Sequence, residues 1–162
     1  MKVYHGSTTI VEKPLVSVGR KNLDFGQGFY VTEIKEQAIS WARRPSNEGK
    51  PQVLNVYELD INGILAHNYK YKRFDAYDSE WLEFVVANRR GKQRWKEYDI
   101  IEGGIANDRV FNTIELYIAG LTPMDEALKR LKHEHPNNQI CILRQEIIDQ
   151  FLHFSDAKQI LS

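Results

Sequence analysis

Two stretches of this chain concentrate side chains that can do chemistry. One is His5-Gly6-Ser7, an imidazole and a hydroxyl either side of a glycine. The other is Leu23-Asp24-Phe25-Gly26-Gln27-Gly28-Phe29-Tyr30-Val31-Thr32, which combines a carboxylate, two glycines and a phenol. Asp24-Phe25-Gly26 spells a magnesium-holding triplet of phosphoryl transfer, but that chemistry also needs a His-Arg-Asp loop and a strand lysine in a larger fold. The chain has no such loop and is too short for that fold. A dinucleotide fingerprint needs Gly-x-Gly-x-x-Gly after a strand and opening a helix. Gly26-Gln27-Gly28 instead runs into the strand-like Phe29-Tyr30-Val31. His133 and His135 have the wrong spacing to share a metal, and Cys141 has no second cysteine to pair with and reads as a small core residue. No metal is expected.

These groups sit in a chain of modest length. It has 162 residues, 42% of them hydrophobic, which suits one core and a single domain over 1–162. Basic and acidic residues balance at 22 each, so no whole-molecule field favours a polyanion or a membrane surface. The Met-Lys-Val-Tyr-His start and the lack of a long apolar run point to a cytoplasmic protein without signal peptide or membrane span. Tyr69 to Phe74 and Arg89 to Lys96 interleave basic and aromatic residues, the composition of a nucleic-acid groove or of solvated loops.

Val3-Tyr4-His5 reads as a strand ending near Gly6, and residues 9–22 as loop with a short helical turn. Phe29-Tyr30-Val31 reads as a buried strand, with Thr32 capping a helix over 33–44 that keeps Ala38, Trp41 and Ala42 on one face. Val53, Val56 and Leu59 mark a strand ending at Asn62-Gly63. Asp78 or Ser79 caps a helix to Arg89, and Tyr98 to Ile101 form a strand running into Gly103-Gly104. Val110 to Ile118 is helical, Thr122-Pro123 opens a helix to about His133, and Gln139 to Leu143 is a strand. Short strands alternate irregularly with short helices, so the fold class is α+β.

His5-Gly6-Ser7 and Phe25-Gly26-Gln27-Gly28-Phe29-Tyr30 together, in this order and spacing, resemble the motifs of the poly-ADP-ribose polymerases and diphtheria-type mono-ADP-ribosyltransferases. With Gln139 and the Asn107-Asp108-Arg109 loop, the chain also resembles, over most of its length, the bacterial domain of unknown function 3990 family. The resemblance implies an ADP-ribosyltransferase-like fold, with two small, mainly antiparallel sheets forming a split β-core flanked by helices. It implies NAD as substrate. His5 would bond the adenosine-side ribose, the Gly6 backbone would clamp the nicotinamide carboxamide, and Ser7 and Gly28 belong to the same binding motifs. Tyr30 would stack on the nicotinamide ring and Trp41 would take its second face, although packing against the sheet explains Trp41 equally well. The family serine that bonds the carboxamide is replaced by Ala38.

Physical chemistry favours these residue types. A flat cationic ring is held between aromatic faces, and glycine lets backbone amides approach a carboxamide. Loss of nicotinamide leaves an oxocarbenium-like ribose, which a carboxylate would stabilise. The family's glutamate falls on Gln139, which can bond a hydroxyl but carries no charge. Asp108 is the candidate substitute acid, its other reading being a helix N-cap. The expected activity is cleavage of the nicotinamide glycosidic bond and transfer of ADP-ribose to a protein or nucleic-acid acceptor. The grouping implies a bacterial toxin with a cognate antitoxin, or a phage-defence effector. The alternatives are a catalytically weak NAD-binding module and a partner-binding protein that uses no NAD.

Overall fold

Across residues 1–161, which the computed structural model describes, seven strands and six α-helices follow one another, with a long connection between the first two strands. They are β1 (Lys2–Ser7), β2 (Phe29–Val31), α1 (Lys35–Ala42), β3 (Val53–Leu59), α2 (Ile61–Ala66), β4 (Tyr71–Arg73), α3 (Ser79–Arg89), β5 (Ile100–Gly104), α4 (Asp108–Ile118), α5 (Met124–Leu131), β6 (Asn138–Ile142), α6 (Gln145–Phe151) and β7 (Leu152–Gln159). The strands form two sheets. One has the order β1-β3-β7 and is antiparallel throughout; the other has the order β2-β6-β5-β4 and is antiparallel except for the parallel pair β4 and β5.

The four-stranded sheet is buried on both faces because β5 and β6 are apolar at successive positions. Ile100, Ile140 and Ile142 pack with Val3, Tyr57 and Leu59 of the other sheet and with Ile147, Ile148 and Phe151 of α6. Ile101 and Cys141, pointing the opposite way, pack with Trp81, Leu82 and Val85 of α3, Ile114 of α4 and Leu131 of α5. Each such side chain contributes about 1.5–3 kcal/mol when fully buried.

An α+β architecture with two small, mainly antiparallel sheets is therefore present, and several local expectations need correction. Thr32 does not cap α1: its hydroxyl donates to the Asn138 carbonyl at 3.0 Å, and the helix starts later, at Lys35. Asn62-Gly63 does not end a strand but lies inside α2, whose cap is Asp60, accepting from the Gly63 N–H at 2.9 Å. Asp78, not Ser79, caps α3. Pro123 holds the N-cap position of α5, which ends at Leu131, before His133. Cys141 is buried as expected.

Tyr71–Arg73 is a strand rather than a solvated loop. Its charges are taken up locally: Lys72 pairs with Glu80, Arg73 with Asp75 at 3.1 Å, and the Tyr71 hydroxyl donates to Glu102 at 2.6 Å. Likewise Arg94 lies over the Phe84 ring and Lys96 over that of Trp95.

Candidate active site

The site begins where two strands part. Tyr4 and Thr32 exchange backbone hydrogen bonds of 2.8 and 3.0 Å, stitching β1 of one sheet to the end of β2 in the other. Beyond this bridge β1 pairs only with β3, and the Tyr30 carbonyl, on the same edge as Thr32, loses its ladder partner. The His5 ring takes over that bond, with Nδ1 2.7 Å from the Tyr30 oxygen. A carbonyl only accepts, so Nδ1 carries the proton and Nε2 is left as an acceptor. The ring packs on Phe29 at 4.4 Å and near Trp41 at 6.3 Å. Burial pushes its pKa down to about 4, against the opposing effect of the Tyr30 carbonyl. His5 at neutral pH is thus a neutral, oriented hydrogen-bond acceptor.

By strand alternation Gly6, two residues past Tyr4, turns its own N–H and C=O to the edge that β2 has left. Its lack of a side chain has a second cause. A Cβ at Gly6 would overlap the carbonyl oxygen of Ala38, so α1 crosses directly over β1 at this point. Gly28 is similarly pressed against β6: a Cβ there would sit 2.6 Å from both Cys141 Sγ and the Ile142 carbonyl oxygen.

Between the parted strands lies a cavity of about 650 Å³. Its walls include His5, Gly6, Gly28, Tyr30, Trp41 and Gln139, six of the residues singled out by type and spacing. The Tyr30 hydroxyl donates to the Gly26 carbonyl at 2.7 Å and accepts from the Phe25 N–H at 3.2 Å. Burial, with Cys141 and Asp24 adding to it, holds this phenol protonated well above the ordinary range, so what Tyr30 contributes to the wall is its ring. Trp41 does two things at once. It packs with Ala38, Leu54 and Ile105 and also borders the cavity. Gln139 is only 6% exposed, and its side-chain amide has no hydrogen-bond partner among the described residues. A buried amide open to a cavity is a group placed for a ligand or water.

A family model described as "Protein of unknown function (DUF3990)" matches residues 1–154. The chain belongs to the DUF3990 family. Comparison with the curated proteins and with the solved structures finds no match to it.

Two expected site residues of this DUF3990 protein stand apart from the cavity wall. The Ser7 hydroxyl donates to the Thr9 carbonyl at 2.6 Å and accepts from the Thr9 N–H at 3.2 Å, closing a turn at the end of β1. Asp108 is the exposed first residue of α4. The cap role weighed for it belongs to Asn107, whose side chain accepts from the Val110 N–H at 3.0 Å.

Other residues of the site were not singled out beforehand. Asn55, fully buried on β3, donates to the carbonyls of His5 and Thr9 at 3.3 and 3.1 Å and to Ser7 Oγ at 3.3 Å, and accepts from the Val11 N–H at 2.8 Å. An amide amid Val53-Leu54-Asn55-Val56 is the sequence signal that marks it. The segment after β1 then straps the cavity with Val11, Leu15, Val18 and Arg20. Gln27 holds it by donating to the Ser17 and Gly19 carbonyls at 2.9 and 3.0 Å, and Gln145 by bonding Val16 and Pro14. Arg20 and Arg44 line the cavity without an ion-pair partner among the described residues.

Proposed function

We propose that the cavity binds NAD and that the protein, with an ADP-ribosyltransferase-like fold, cleaves the nicotinamide glycosidic bond and transfers ADP-ribose to a protein or nucleic-acid acceptor. One observation carries this reading: His5, Gly6, Gly28, Tyr30, Trp41 and Gln139, distant in the chain, all line one cavity. Its volume of about 650 Å³ suits a ligand of this size. The chemistry of the wall supports it too. The neutral His5 offers Nε2 to a ribose hydroxyl, the Gly6 edge offers a donor and an acceptor to a carboxamide, and Tyr30 and Trp41 offer rings to nicotinamide. Arg20 and Arg44 supply positive charge for a diphosphate.

Incubation with NAD labelled in its adenylate half, with cell extract as acceptor source, tests the proposal. Free nicotinamide and a label that resists either protease or nuclease digestion are expected. Absence of both products refutes transfer. The resemblance of the two motifs to those of ADP-ribosyltransferases favours a role as a bacterial toxin or phage-defence effector, with an antitoxin as the partner to seek. A second reading, an NAD-binding module of weak activity, is favoured by the uncharged Gln139. It is distinguished by NAD binding without nicotinamide release.

A further inference from the structure

The wall that carries an amide at Gln139 carries one carboxylate among its described residues, Asp24. Its position is fixed by the C-terminal end of α3, whose Arg89 borders the same cavity. The Asp24 carbonyl accepts from Asn88 Nδ2 at 2.8 Å, and its Oδ1 accepts from Arg89 Nε at 2.7 Å. Arg89 is itself held by Glu115 at 3.2 Å and by the Phe111 ring at 4.8 Å, and Asn88 is fully buried. Oδ2 of Asp24 has no partner among the described residues, and only 14% of the side chain is exposed. A carboxylate clamped on one oxygen and free on the other, at a cavity wall, is pre-organised for a reacting group.

We propose that Asp24 is the catalytic carboxylate of this site, replacing the charge that Gln139 lacks. The inference rests on the NAD reading above. Asp24 faces the ribose as the bond from its anomeric carbon to the nicotinamide nitrogen breaks, the electron pair leaving with nicotinamide, and stabilises the cationic carbon. Water, or the hydroxyl of an acceptor, then bonds that carbon, and its proton passes to Oδ2 and on to solvent. With water the balance is NAD and water giving ADP-ribose, nicotinamide and one proton.

The test measures NAD affinity and nicotinamide release on the full chain, for wild type, Asp24→Asn, Asp24→Glu and Gln139→Glu, alone and with Asp24→Asn. The amide of Asp24→Asn can still accept from Arg89, so NAD affinity is expected to change less than threefold while kcat falls about 100-fold or more. Gln139→Glu added to Asp24→Asn is expected to restore part of the rate. Should Asp24→Asn not fold, Asp24→Glu decides: a kcat lowered about tenfold at unchanged KM supports the role, and an unchanged kcat overturns it. A wild-type rate in Asp24→Asn overturns the assignment while the NAD reading stands. So does cleavage that appears only once Gln139→Glu is made. No NAD binding and no cleavage by any of these chains overturns both.

Discussion

His5 sits where β1 and β2 part. Its Nδ1–H repairs the carbonyl that the parting strands leave bare, and the same bond leaves Nε2 free for a ligand. Because burial depresses its pKa to about 4, the folded protein binds a proton there less readily than the unfolded chain, whose histidine titrates near 6.5. The stability at stake is fully present above pH 6.5 and is lost as pH falls towards about 4. His5 is partly exposed rather than fully buried, so the loss should lie below an upper value of about 3 kcal/mol. Denaturant titrations at a series of pH values should show this fall in the wild type and a flatter curve in His5→Gln. Parallel curves would show that His5 is not held neutral by the fold.

At the scale of elements, the cavity depends on two contacts with β1. Helix α1 lies so close over Gly6 that Gly6→Ala forces helix and strand apart, and backbone atoms cannot rotate out of the way. A destabilisation of about 3 kcal/mol is expected, at the upper end of overpacking costs. Urea unfolding measures it, and a loss below about 1 kcal/mol would mean that α1 shifts freely. On the other side Asn55 ties β3 to His5, Thr9 and Val11. Asn55→Ala leaves the Val11 N–H without its acceptor, while the Thr9 carbonyl keeps its bond from Ser7 Oγ, and should cost about 1–3 kcal/mol. Hydrogen exchange in the strap should rise in this variant more than in β5 or β6. Uniform exchange would argue against a hub.

For the whole molecule the relevant fact is that sites on both sheets meet at one cavity. His5 and Gly6 come from the three-stranded sheet, and Gly28, Tyr30 and Gln139 from the four-stranded sheet or its approach. A ligand there should stabilise the fold as a unit. NAD at 100 times its Kd should raise the melting temperature by about 5–10 °C, read by differential scanning fluorimetry. A shift with nicotinamide alone but none beyond it with NAD would confine binding to the ring pocket.

The motif residues, the α+β class and the strands and helices with a strong apolar pattern are legible in the chain alone. Phe29–Val31, Ser79–Arg89 and Asp108–Ile118 are legible because capping residues or buried runs mark them locally. The sequence did not disclose α2, β4, α6 or β7. Leu152–Gln159 carries His153, Asp156 and Lys158 and gains its strand character from pairing with β3, a partner far away in the chain. Which of the chemically apt residues share a cavity was set by long-range packing. Ser7 turned inward to close its own loop and Asp108 stayed exposed, whereas Asp24, first met in a misleading triplet, was drawn to the cavity wall by Arg89 and Asn88 of a distant helix. Hydrogen bonds between residues remote in sequence made that choice, and no local pattern records them.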